Sequence, residues 1–125
     1  MNQQKKILII DDDTRNIFAL SAILRSSGFN CISSIDAKEG KNLMIQQADI
    51  GIILIDMMMP DMDGYEAIPF LRLTPGYSKI PIIAVTAQAM PGDREKCIEA
   101  GATDYISKPI DIDKLILVVD QYLLS

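Results

Sequence analysis

The sequence predicts an α/β fold: a single domain over residues 1–125 in which five parallel strands alternate with five helices, (βα)5. Three observations lead there. Short apolar runs recur along the chain, and segments with helical spacing separate them, the alternation that builds a parallel sheet covered by helices. The runs Gly51 to Ile55 and Ile82 to Val85 are continuously apolar, as strands buried on both faces are. Four runs then hand over to residues suited to phosphate or metal chemistry: Ile7 to Ile10 to Asp11, Asp12 and Asp13, Gly51 to Ile55 to Asp56, Ile82 to Val85 to Thr86, and Tyr105 to Ser107 to Lys108-Pro109. If the runs are parallel strands, these ends meet in one crevice outside the carboxyl edge of the sheet.

The first strand is expected at about Lys5 to Ile10, followed by a helix from about Thr14 to Ser27 with Ile17, Leu20 and Leu24 on one face and Gly28 as its stop. A short second strand covers about Asn30 to Ile35. Asp36, with Glu39 three residues on, makes a capping box for a second helix that turns Leu43 and Met44 inward. The third strand is Gly51 to Ile55. Gly64 opens a third helix to about Leu73, and Pro69 inside it removes a backbone donor and crowds the preceding turn, which predicts a kinked or shortened helix. Pro81 stands where proline is tolerated, at the start of the fourth strand. A fourth helix runs from Pro91 to Ala100 and stops at Gly101. The fifth strand, about Asp104 to Ser107, precedes a helix capped by Asp111 that packs Leu115, Val118, Val119 and Tyr122 inward.

With 49% apolar residues the chain can bury one sizeable core, and its length is too short for two ordinary domains. The longest apolar stretches fall well below the roughly 20 residues a spanning helix requires. Met1 to Lys6 is too polar to open a signal peptide, so a cytoplasmic location without membrane contact is expected. Cys31 and Cys97 match no metal spacing and are expected as reduced, half-buried thiols. A net charge of −5 and a pI near 4.5 disfavour direct nucleic-acid binding and point to protein partners. The chain has no histidine, which removes the commonest general base and transition-metal ligand. Chemistry is left to carboxylates, hydroxyls and lysine, and oxygen ligands favour a hard cation such as Mg2+.

Three adjacent carboxylates repel one another unless something positive is present. Helix capping by Asp13 or Thr14 explains one aspartate well and three poorly. A cation site completed by Asp56 from a neighbouring strand explains the others, since a divalent ion offsets like-charge repulsion. Asp56 can serve as a ligand, a cap or a nucleophile that forms an acyl phosphate. Phosphoryl transfer relies on positioning and charge neutralisation, which Mg2+, Lys108, the Thr86 hydroxyl and loop N–H groups could share. Taken singly, Thr86 reads as a strand-end residue and Lys108 as a surface charge.

The segments ILIIDDD, LIDMMMPDMDGYEAI, PIIAVTA and DYISKPI, in this order and spacing, closely resemble the receiver domain of two-component response regulators, from about Lys5 to about Leu124. The resemblance implies the flavodoxin-like sheet order 2-1-3-4-5. It implies Asp56 as phosphoacceptor, Asp11 and Asp12 as the acidic pair around Mg2+, and the Met58 backbone carbonyl as a further ligand. Asp12 would bind directly and Asp11 mainly through water. Thr86 corresponds to the switch hydroxyl, Tyr105 to the switch aromatic and Lys108 to the phosphate clamp, with a cis bond expected at Lys108-Pro109. Met58 and Gln88, two residues beyond Asp56 and Thr86, fall at positions that tune phosphate lifetime. An apolar Met58 has no group to orient water, so a fairly long-lived phosphoaspartate is expected.

The stretch TAQAMPGDREKCIEAGATDYISKPI most resembles receivers of hybrid sensor histidine kinases. Its implied partners are a histidine kinase or a histidine phosphotransfer domain, docked beside Asp56 on a strip of the first helix around Ile17, Phe18 and Ser21. On phosphorylation Thr86 would swing in and let Tyr105 rotate inward; a half-buried aromatic with its hydroxyl in water is the plainer reading of Tyr105. A weak homodimer through the last helix is one reading of Ile116, Leu117 and Leu123, and core burial is the other. Two alternatives stay open: a degenerate receiver that only binds proteins, or a Mg2+-dependent phosphohydrolase. The second usually needs a carboxylate two residues after the nucleophile, where this chain has Met58. A receiver turns over no substrate pool, so the expectation is that the chain is not an enzyme. A stand-alone regulator and a domain of a larger protein fit the sequence equally.

Overall fold

Isoleucine and leucine dominate the strands: β1 (Lys6–Ile10), β2 (Cys31–Ser34), β3 (Ile50–Asp56), β4 (Ile82–Thr86) and β5 (Asp104–Ser107). The computed structural model describes residues 5–87 and 90–123. All strand pairs are parallel, in the order β2-β1-β3-β4-β5, as the flavodoxin-like expectation required. Between them run α1 (Thr14–Ser26), α2 (Ala37–Gln46), α3 (Gly64–Arg72), α4 (Asp93–Glu99) and α5 (Ile112–Leu123).

Side chains alternate across the pleat and so divide the core in two. Ile7, Ile9, Ile52 and Leu54 pack against Leu20 and Leu24 of α1 and Leu115 and Val119 of α5. Leu8, Ile10, Ile53 and Ile55 face Met44 of α2, Ile68 and Leu71 of α3, and Cys97 of α4. Both faces of the sheet are covered, which is why β3 and β4 are apolar throughout. Cys31 and Cys97 are free thiols, and both are buried, where the sequence suggested half burial; burial raises both thiol pKa values.

Element ends follow local chemistry. The Asp13 carboxylate accepts the Arg15 N–H and caps α1, and the N–H groups of Gly28 and Phe29 close it by donating to Arg25 and Leu24 carbonyls. Asp36 accepts the Glu39 N–H at 2.8 Å, and Asp111 accepts the N–H groups of Asp113 and Lys114. β2 is shorter than Asn30 to Ile35, because Ile35 turns into solvent before Asp36. α3 stays one continuous nine-residue helix around Pro69, which lies on its exposed side three residues from the end.

The largest departure concerns α4, which begins at Asp93 and not at Pro91. Gly92 takes φ 87° ahead of it, a left-handed conformation that breaks the helix and is open to glycine at little cost. Gly64 is required for a different reason. A Cβ there would lie 2.9 Å from Met57 Cα and closer still to its sulfur, so only glycine lets α3 start against the end of β3.

Arg72, at the end of α3, ties two loops together, the one that leads from α3 to β4 and the one that leads from α4 to β5. Its guanidinium donates to the carbonyls of Gly101, Ser78 and Ile80 and to Thr103 Oγ1. Burial lowers its pKa without threatening its charge.

Candidate functional site

The register of the ladder determines which side chains meet. Ile10 pairs with Ile55, Asp56 with Val85, and Thr86 with Ser107, so each strand delivers its polar residue at the same edge. Asp11, Asp12 and Asp56 each bring one carboxylate oxygen to within 4.8 Å of the others. Asp11 and Asp56 are 4% and 6% exposed, while Asp12 lies open to solvent. Lys108 Nζ stands 3.6 Å from Asp56 Oδ1, and the same oxygen accepts the Met58 N–H at 3.0 Å.

Asp13 does not join the cluster. It caps α1 and pairs with Arg15, and the Arg15 N–H is the main cause that holds its carboxyl below the usual range. Asp11 moves the other way. Burial raises its pKa most, the Asp13 N–H partly offsets that, and the Asp56 charge raises it further. The three consecutive aspartates thus divide into two for the crevice and one for the helix.

These groups fit a hard divalent cation. All donors are carboxylate oxygens, two are withdrawn from solvent, and a single lysine ammonium stands against three carboxylates. A cleft of about 300 Å³ extends from the cluster between α1 and the start of α5, lined by Asp11, Asn16, Leu20, Asp56, Lys108 and Ile112 among others. The Lys108-Pro109 bond at its wall is cis, as expected from the sequence.

Thr86 is buried, and its hydroxyl donates to Asp93 Oδ2 at 3.3 Å. Asp93 is itself 5% exposed and accepts the Tyr65 hydroxyl on Oδ1 at 3.5 Å. The Tyr65 hydroxyl has its pKa pushed up to about 12, first by burial and then by Cys97 and Asp93, and stays a proton donor. Sequence reasoning missed Asp93: an acid in the first turn of a helix reads as a solvated complement to the helix dipole, and nothing in GDRE marks it as buried.

Tyr105 is half-buried against the α2/α3/α4 side of the core. The Met58 side chain is 54% exposed. Gln88 lies outside the described residues. On α1, Phe18 is exposed while Ile17 and Ser21 are half-buried. In α5, Ile116 and Leu123 pack partly into the core, whereas Leu117 stays exposed. Among the described residues no helix is long and apolar enough to cross a membrane.

Residues 7–120 match the family model of the response regulator receiver domain. The polar-differentiation response regulator DivK of Brucella anthropi is 32% identical over 95% of this chain and 96% of its own length. The signal transduction histidine-protein kinase BarA of Escherichia coli is 32% identical over 87% of this chain, which spans only 12% of that protein. The crystal structure of the receiver domain of sensor histidine kinase PA1611 from Pseudomonas aeruginosa has a magnesium ion coordinated in its active site cleft. It superposes with a TM-score of 0.86 at 32% identity, covering 98% of this chain and 100% of that one.

Proposed function

The chain belongs to the response regulator receiver domain family of two-component signalling, and from that membership we propose that it is a phosphorylation-dependent switch whose acceptor is Asp56. Receiver domains act as signalling switches with histidine kinase or phosphotransfer partners. The observation that carries the specific reading is the Asp56 carboxylate, nearly buried between Lys108 at 3.6 Å and the carboxylates of Asp11 and Asp12.

In the proposed step an Asp56 oxygen attacks the phosphorus of a phosphohistidine in the partner. The new O–P bond forms as the P–N bond breaks, and its electron pair returns to the imidazole. Lys108 and the Met58 N–H hold Asp56 Oδ1 and fix the carboxylate plane for attack. Asp11, Asp12, Asp56 and the Met58 carbonyl would hold Mg2+, which supplies neutralisation of phosphoryl charge when bound. Lys108 neutralises one phosphoryl oxygen and the Thr86 hydroxyl would donate to another. Residues 1–125 hold no histidine, so the donor lies outside them, as a phosphohistidine or a small acyl phosphate.

Exposed Phe18, with Ile17 and Ser21 beside it on α1, suits docking of a helical phosphotransfer partner next to the cleft. Movement of Thr86 would let Tyr105 turn inward and alter the face of α4, β5 and α5. Residues 1–125 act on this reading as one cytoplasmic receiver that turns over no substrate pool, with Gln88 as a second residue that tunes phosphate lifetime.

Intact mass after incubation with acetyl phosphate, with and without Mg2+, tests the acceptor directly. A single Mg2+-dependent phosphate is expected on the wild type and none on Asp56→Asn. Wild type without an adduct would leave a receiver that works by binding alone.

A further inference from the structure

A hydroxyl carries one proton, and in this structure the Thr86 proton is directed at a carboxylate other than the acceptor's. Asp93 Oδ2 receives it at 3.3 Å, and Asp93 Oδ1 receives the Tyr65 proton at 3.5 Å. Asp93 thereby joins the end of β4, α3 and the first residue of α4 in one buried contact. A carboxylate withdrawn from water depends on its donors, so each of the two hydroxyls matters to it.

We propose that Asp93 is a positioning residue that competes with the phosphorylated Asp56 for the Thr86 hydroxyl and so sets how easily the switch is thrown. The inference rests on the reading of Asp56 as phosphoacceptor. In the resting protein Thr86 donates to Asp93. A phosphoryl group on Asp56 offers new anionic oxygens, and the Thr86 hydroxyl can serve them only by leaving Asp93 Oδ2. Tyr65 then remains as the donor from α3, and the first turn of α4 loses its tie to β4. Phosphorylation at one strand end is converted into release of a helix as one proton donor passes from the Asp93 carboxylate to a phosphoryl oxygen.

Competition has a sign that a merely structural role lacks. Removing Asp93 frees Thr86 for the phosphoryl group, whereas removing the Tyr65 hydroxyl leaves Asp93 more dependent on Thr86 and holds it back. The readout is the ratio of phosphorylated to unphosphorylated protein at limiting acetyl phosphate with Mg2+, by intact mass.

Asp93→Ala is expected to raise this ratio roughly three- to ten-fold, the scale of one hydrogen bond. Asp93→Asn, which keeps one acceptor oxygen but gives up the other and the charge, should fall between wild type and Asp93→Ala. In a Thr86→Ala background, Asp93→Ala should change the ratio no further, since the coupled partner is gone. Tyr65→Phe should lower the ratio roughly two-fold, and it decides the matter alone if Asp93→Ala fails to fold. An unchanged or lower ratio in folded Asp93→Ala, an equal effect with and without the Thr86 hydroxyl, or a rise in Tyr65→Phe overturns the inference while leaving the acceptor assignment intact. No adduct on the wild type overturns both.

Discussion

Asp11 shows how one side chain can weaken a fold and equip its site. Burial holds its carboxyl above the ordinary 3.8, so over the interval above 3.8 the folded chain keeps a proton that the unfolded chain has released. The stability this gives is full below 3.8 and lost as pH rises through the raised value. Without divalent ions, Asp11→Asn should therefore match wild type near pH 3.5 and exceed it at pH 7; equal urea midpoints at pH 7 would contradict this. Asp13 has the opposite sign: lowered by the Arg15 N–H, it contributes above 3.8 and loses that contribution as pH falls. At Met58, an exposed apolar side chain adjoins the acceptor and offers nothing to orient an attacking water. Met58→Asn should shorten the phosphoaspartate lifetime by several-fold, and an unchanged decay after removal of acetyl phosphate would refute the idea.

At the scale of elements, Arg72 carries more than its position at a helix end suggests. Its guanidinium satisfies three loop carbonyls, and truncation leaves them without their donor. Arg72→Ala should cost roughly 2 to 4 kcal/mol by chemical denaturation. Arg72→Lys should recover only part, because one ammonium cannot span the fork of acceptors. A loss within experimental error for Arg72→Ala would show that water replaces the contacts.

The strands were legible because each apolar run stops at a polar residue of distinct chemistry, and the helices because Asp13, Asp36, Asp111, Gly28 and Gly101 mark their ends. The start of α4 was not, since Pro91 imitates a helix start and the left-handed turn at Gly92 leaves no periodicity to read. Asp93 was missed with it, as its burial is created by α3 and β4 packing over the helix start.

For the molecule as a whole, folding gathers acidic groups that would otherwise stay apart, and a cation that binds only the folded state returns that energy. Mg2+ at about 100 times its Kd should stabilise the protein by about 2.7 kcal/mol and raise Tm with concentration. Asp12→Asn should flatten that dependence. A wild-type Tm independent of Mg2+ would remove the cation from the account.

The spacing of the crevice comes from backbone pairing, with Asp56 opposite Val85 and Thr86 opposite Ser107. Substitution and deletion therefore differ in kind. Exchanging one apolar residue of β3 for another leaves the ladder in place and the carboxylates at their stations. Losing a single residue from β3 would turn the remaining side chains to the opposite face and draw Asp56 out of line, although every motif could still be spelled out in the gene product. Among relatives of this chain, a length change within a central strand is thus a stronger mark of a silent site than any conservative replacement around it.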